Sequence, residues 1–208
     1  MDVIEFVRSQ LPGPPARILE IGCGEGELAR ALADAGWDVL AIDPAAPDGP
    51  IFRRLKLEDV DEPESFDAVV AARSLHHVTD LEAGLDRVRD LLRPRGVLVL
   101  DEFAWDRLDR ATADWFHGQQ RALMAAGRLP EAPATIDDCC REWQAEHVGL
   151  HGYEAMRAAL HERFRERSFE WMPYLYRYLG GVAGEELERT LIEAGAIQAT
   201  GFRYVGVK

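Results

Sequence analysis

Short, unbroken apolar runs alternate along the first half of the chain with stretches whose apolar residues recur every three or four positions. Residues 17–21, 38–42, 51–57, 66–72 and 97–100 read as strands, the last wholly apolar, as a strand covered on both faces should be. Residues 27–35 place Leu28, Ala31 and Leu32 on one helical face, and Gly36 stops them. A second helix runs through Leu92, capped by Thr79 or Asp80 and ended by Pro94 and Gly96. It turns Leu81, Leu85, Val88, Leu91 and Leu92 inward. A short amphipathic helix over 2–10, with Val3, Ile4, Phe6 and Val7 on its apolar side, precedes them. Leu11-Pro12-Gly13-Pro14-Pro15 halts it.

Strand and helix in regular alternation predict an α/β fold: a doubly wound, mostly parallel sheet with helices on both faces. Residues 105–165 break the rhythm, with little strand signal and helical stretches over 115–126, 136–147 and 153–164. They read as a helical insertion after strand five, within a single domain spanning 1–208, lying as a lid over the sheet's carboxyl edge. Trp105, Trp115, Phe116, Trp143 and Tyr153 would line an aromatic pocket there. Beyond it, 168–172 reads as strand, 184–194 as a helix with Leu187, Leu191 and Ile192 facing in, and 201–207 as a terminal strand.

Composition narrows the function. A chain 47% hydrophobic and 29% charged is ordinary globular material, and no apolar run approaches the length of a bilayer span. Asp2 and Glu5 stand where a secretory signal would carry bases, so the expected location is cytoplasmic. The net charge is −13, and residues 1–104 hold 21 acids against 11 bases. No segment offers a basic surface for a phosphate backbone, so nucleic acid is not an expected partner, nor is a membrane. Cys23, Cys139 and Cys140 fit no zinc spacing and read as reduced thiols; no metal site is expected.

Residues 18–44 carry the chemistry. A strand enters a turn with three glycines, a helix follows, and a second strand ends at Asp43. This is the design of a nucleotide site, in which glycines admit the ligand to the backbone and the acid accepts hydrogen bonds from ribose hydroxyls. A dinucleotide fingerprint would need its last glycine at Glu27 or Ala29, and Glu25 and Glu27 would oppose a pyrophosphate. What stands there is E-x-G-x-G-x-G, Glu20 to Gly26.

That motif resembles motif I of the class I S-adenosylmethionine-dependent methyltransferases. The likeness continues through Asp43-Pro44, Leu57-Glu58-Asp59, Phe66-Asp67-Ala68-Val69-Val70 and Arg73-Ser74-Leu75-His76-His77-Val78. It reaches Leu92-Arg93-Pro94-Arg95-Gly96, where Arg95 replaces the family's first glycine. It covers 17–103 and is closest to the small-molecule, type 11-like branch that includes quinone and sugar O-methyltransferases. The segment that marks exocyclic amine methylases of nucleic acids is absent; Ala72-Arg73-Ser74-Leu75 stands there instead. The resemblance implies a Rossmann-like sheet, S-adenosylmethionine as cofactor and a small-molecule acceptor. It assigns the first turn's Glu20, Gly22, Cys23 and Gly24 to the cofactor. Asp43 and Pro44 would meet ribose and adenine, Leu57 and Glu58 the adenine, and Arg73, Ser74 and Leu75 the segment after strand four.

A sulfonium is already a strong methyl donor, so the protein must align the acceptor and exclude water. A hydroxyl acceptor also needs a base. His76 and His77 follow strand four, and Asp101 and Glu102 end strand five on opposite faces of the sheet. In the resembling sugar-directed enzymes a histidine pair and an acid hold corresponding places, and Glu102 is the closer match to that acid. His76 or His77 is therefore the candidate base and Glu102 an orienting or basic carboxylate, with packing of the loop as the other reading. The expected function is methyl transfer to a hydroxyl of an aromatic or polyhydroxylated metabolite, with nitrogen and then carbon behind oxygen. Its rivals are a cofactor-binding protein without turnover and a nicotinamide-dependent oxidoreductase.

Overall fold

In the computed structural model, residues 1–181 and 184–208 are described. Seven strands are present: β1 (Arg17–Ile21), β2 (Asp38–Ile42), β3 (Phe52–Arg53), β4 (Phe66–Ala72), β5 (Leu92–Phe103), β6 (Arg165–Met172) and β7 (Gly201–Val207). They form one sheet in the order β3-β2-β1-β4-β5-β7-β6. The pairings from β3 through β5 are parallel, and Leu19 lies in register between Leu40 and Val69. The order reverses at β1, with β2 on one side and β4 on the other. An open parallel sheet leaves a crevice at such a point, beyond the strands' carboxyl ends.

Two helices, α1 (Val3–Gln10) and α2 (Glu27–Asp34), share a core with one face of the sheet. Phe6, Val7, Leu28 and Leu32 pack with Ile18, Val39, Val70, Val99 and Val205. Asp2 caps α1 by accepting from the Glu5 N–H at 2.8 Å. Asp80, rather than Thr79, caps α3 (Leu81–Leu91), accepting from the Ala83 N–H at 3.0 Å. The helix buries Leu81, Leu85, Val88 and Leu91, as their spacing predicts. Asp101 and Glu102 do face opposite ways. Asp101 pairs with Arg203 of β7 at 2.9 Å, and that guanidinium also lies 4.5 Å from the Phe6 ring centroid.

The expected strand over 51–57 shrinks to two residues at the sheet edge. Arg53 and Arg54 turn back there to backbone carbonyls of Pro50, Phe52 and Ala46, and Leu57–Asp59 forms a 3-10 turn instead. β5 starts at Leu92, earlier than expected, because Leu92 pairs with Phe66 ahead of an irregularity in the register. Arg95, standing where the resembling family has glycine, takes φ 66°, the backbone conformation glycine would have supplied.

The chain divides into two compact units: Met1–Glu102 with Glu154–Glu170 and Arg203–Lys208, and Phe103–Tyr153 with Trp171–Phe202. Most of α6 (Tyr153–Arg163) belongs to the first unit. There Met156 and Leu160 are buried and Arg163 pairs with Asp86 of α3 at 2.7 Å. The second unit contains α4 (Arg110–Ala125), α5 (Ile136–Glu146) and α7 (Glu185–Glu193). Phe103, Phe116, Cys139, Trp143 and Leu175 form its core, with Trp105 and Trp115 packed against them. Tyr153 is not among them; its ring meets Trp171 and Phe202. Among the described residues no helix is long and apolar enough to cross a membrane.

In α7 Leu191 and Ile192 are half-buried, but the inward place expected of Leu187 is taken by its neighbour. Leu187 is 49% exposed, whereas Glu188 is fully buried. Its carboxylate accepts from the backbone N–H groups of Tyr174, Leu175 and Tyr176 at 2.7–3.0 Å. Burial still pushes its pKa above the usual carboxylate range, against those three N–H groups. Glu188→Ala should strand those donors at roughly 1–3 kcal/mol each. Thermal unfolding should show a marked drop in Tm, smaller for Glu188→Gln, whose amide oxygen still accepts. An alanine variant melting like the wild type would contradict this role.

Candidate functional site

β1 ends at Ile21 and the chain turns through Gly22, Gly24 and Gly26, at φ 70°, 51° and 80°. All three conformations strain a residue with a Cβ, but the surroundings differ. A Cβ on Gly22 would stand 2.3 Å from the Ser74 Cβ, and one on Gly26 2.5 Å from the Phe52 ring. One on Gly24 would meet nothing within 4 Å. Gly22 and Gly26 therefore let the first turn touch its neighbours, and only Gly24 faces open space.

The turn after β4 is the partner of the first. Ser74 Oγ donates to the Ile21 carbonyl at 2.6 Å. Glu102, reaching across from β5, accepts from the Ser74 and Leu75 N–H groups at 2.8 and 2.6 Å through Oε1. Its Oε2 lies 2.6 Å from His76 Nδ1. Glu102 and His76 are both buried, so this pair pins the turn from behind. His77 is on the outside. Its ring centroid stands 4.2 Å from that of His76, and burial, with His76 adding to it, lowers its pKa below the ordinary imidazole value.

A cavity of about 340 Å³ opens between these turns. Ile21, Gly22, Ile42, Asp43 and Pro44 form one wall, Leu55, Lys56, Leu57 and Glu58 another, and Arg73, Ser74 and His77 to Thr79 a third. Of the residues chosen from sequence, Gly22, Asp43, Pro44, Leu57, Glu58, Arg73, Ser74 and His77 meet here. Glu20, Cys23, Gly24, Leu75, His76 and Glu102 are not on its wall. Ile21, Ile42, Leu55, Lys56, Val78 and Thr79 are on it and were missed, although each adjoins a strand's carboxyl end or a chosen residue. The Asp43 carboxylate shapes the first turn as well as the cavity: Oδ2 accepts from the Gly24 N–H at 3.1 Å and Oδ1 from the Ala45 N–H at 2.8 Å.

Beneath the first turn Glu20 is 3% exposed, and its Oε2 has no partner among the described residues. Burial pushes its pKa up to about 8; the Asp43 charge adds to this and the Ala29 N–H opposes it. Burial likewise lifts the Cys23 thiol to about 11, so it is not a nucleophile at neutral pH. Among the described residues no group of His, Cys, Asp and Glu is arranged to hold a metal ion.

A family model described as a methyltransferase domain matches residues 2–172. The ubiquinone biosynthesis O-methyltransferase of Rhodopseudomonas palustris (strain TIE-1) is 34% identical over 97 residues, 40% of this chain and 38% of that protein. The match to that relative therefore spans well under half of its length. The protein of the same name from Xylella fastidiosa (strain 9a5c) is 29% identical over 185 residues, 79% of this chain and 72% of that one. The crystal structure of an S-adenosylmethionine dependent methyltransferase from Mesorhizobium loti matches with a TM-score of 0.62 at 19% identity, covering 98% and 96% of the two chains. That is a likeness of fold.

Glu20 generates a pH prediction. Unfolded, the carboxyl ionises above about 4.5; folded, it keeps its proton to about 8. Unfolding between these values releases a proton, so stability should fall with rising pH, by up to about 1.4 kcal/mol per pH unit from this group. Glu20→Gln should match the wild type near pH 4 and become progressively more stable than it from pH 5 to 8. Denaturant titrations across that range measure the difference, and a gap independent of pH would refute the assignment.

Proposed function

The chain belongs to the methyltransferase-domain family, and from that premise we propose that it moves a methyl group from S-adenosylmethionine to a hydroxyl of a small aromatic or polyhydroxylated acceptor. One observation carries the reading: Asp43, Leu57, Glu58 and His77, drawn from three separate chain segments, border a single cavity at the sheet's switch point. The names of the curated relatives, both O-methyltransferases, favour oxygen as the acceptor atom.

The residues suit this cofactor. Gly24 leaves room at the turn, and Glu20 presents a buried acceptor atom with no partner. Asp43 and Glu58 put acids in a cavity that a phosphate-free cationic ligand tolerates. Asp43 would accept from the ribose hydroxyls, and Pro44, Leu57 and Val78 would enclose the adenine. When bound, S-adenosylmethionine supplies an electrophilic methyl group on its sulfonium.

The remaining work falls to the histidine pair. His77, uncharged at neutral pH because its pKa is lowered, accepts the proton of the acceptor's hydroxyl. His76 is a positioning residue: Glu102 fixes its Nδ1, and its ring backs that of His77.

Methyl transfer from labelled S-adenosylmethionine to a panel of catechols, phenols and amines tests the reading, with product analysis locating the label. Label on oxygen is expected. With the acceptor so found, His77→Ala should lower kcat by about 10²–10⁴-fold, the usual worth of a general base, with cofactor affinity nearly unchanged. The wild-type rate should fall only below about pH 6.5, as His77 gains a proton. His76→Ala should instead lower Tm and weaken cofactor binding together. A His77→Ala enzyme of normal kcat, or label on nitrogen or carbon alone, would overturn the assignment.

A further inference from the structure

We propose that Gly84, in α3 and outside the cavity, is a positioning residue that sets where Leu57 and Val78 stand on the cavity's walls, an inference that rests on reading that cavity as the cofactor site. The glycines of the first turn answer to their backbone. Gly84 does not: it lies within a regular helix, its N–H donates to the Asp80 carbonyl at 2.9 Å, and it is not among the residues at positive φ. Any ordinary residue would satisfy that backbone, and glycine is a poor helix former. The reason for a glycine there lies in its surroundings.

Gly84 is buried, on the same helix as Leu81, Leu85 and Val88. A Cβ on it would stand 2.7 Å from Val78 Cγ1 and 3.6 Å from Leu57 Cδ2. The second distance is an ordinary contact; the first is a clash. Val78 and Leu57 both border the cavity, Leu57 from the 3-10 turn ahead of β4 and Val78 from the segment after it. The two wall residues thus meet over this one position of α3. Val78 has little freedom to swing aside. Its branched side chain is stiff about χ1, and its N–H is held by the Leu75 carbonyl at 3.1 Å. The methyl group that Gly84 lacks is the space that Val78 Cγ1 needs, and filling it drives Val78 off the helix and displaces the wall it forms. In the cofactor reading Leu57 and Val78 enclose the adenine, so Gly84 governs the room for the nucleoside without touching it.

Titration calorimetry on the wild type, Gly84→Ala, Val78→Ala and the double variant tests this. The probes are S-adenosylhomocysteine and 5′-methylthioadenosine, which keeps the nucleoside and lacks the amino-acid end. Gly84→Ala should bind both at least about tenfold more weakly, in line with the cost of an extra methyl group in a close-packed site. In the Val78→Ala background Cγ1 is gone, and the Val78 Cβ lies 3.9 Å away. There the same substitution should change either affinity by less than about twofold. A purely structural role for Gly84 in α3 predicts the same loss in both backgrounds. Circular dichroism melts check that each variant is folded at the temperature of the titration. If Gly84→Ala alone does not fold, the double variant must still fold and bind within about twofold of Val78→Ala; a double variant that does not overturns the inference. So does a Gly84→Ala protein that binds both probes like the wild type, an equal loss in both backgrounds, or a loss confined to S-adenosylhomocysteine. A wild type that binds neither probe overturns the cofactor reading, and this inference with it.

Discussion

The turns after β1 and β4 touch at Gly22 and Ser74, and the cavity depends on that contact. No side chain fits between them, since a Cβ on Gly22 would stand 2.3 Å from the Ser74 Cβ. The Ser74 hydroxyl closes the join by donating to the Ile21 carbonyl. The second turn is in turn held by β5, through Glu102 on the Ser74 and Leu75 N–H groups and through the Asp101 carbonyl on the Arg73 N–H. A strand that contributes nothing to the cavity wall thereby sets the position of Arg73, Ser74 and His77 on it. Three consecutive backbone N–H groups, those of Arg73, Ser74 and Leu75, are thereby tied to β5.

The four buried acids among the described residues differ in their partners. Asp101 is matched by Arg203, and Glu102 and Glu188 are matched by backbone N–H groups and, for Glu102, by His76. Buried carboxylates satisfied in this way stabilise the turns they cap. Glu20 differs, because one of its oxygens is left without a partner and its proton is held to about pH 8. Leaving a buried acceptor unpaired is unfavourable to the fold, and such groups concentrate where a ligand completes them. Glu20 lies two residues before the first glycine of the turn.

The parts legible in the sequence are those where one physical pattern has one outcome. β1, β2 and β4 are legible to the residue, because each carries the mainly apolar run of a strand covered on both faces, with its charged residues confined to Arg17, Glu20, Asp38 and Asp67. The glycine turn and Asp43 were legible because backbone at positive φ and an acid at a strand's end leave a direct mark on residue type. β3 was not, since an edge strand of two residues carries no period and its arginines serve loop carbonyls. The burial of Glu188 in place of Leu187 was also hidden: neighbouring positions on a helix differ by about 100°, and only the three N–H groups it meets decide which turns inward. His76 and His77 were equivalent as sequence. Glu102 and burial separate them, and neither is visible without the fold.

The central claim is that the join between the two turns forms the cofactor cradle, and S-adenosylmethionine affinity in a compensated pair of variants tests it most directly. Gly22→Ala forces the turns apart and should lower affinity by at least about tenfold, with the circular dichroism spectrum retained. Adding Ser74→Gly removes the opposing Cβ and should recover part of that loss, leaving the penalty of alanine at positive φ and of the lost hydroxyl bond to the Ile21 carbonyl. A Gly22→Ala protein that binds like the wild type, or a double variant no better than the single, would contradict the account.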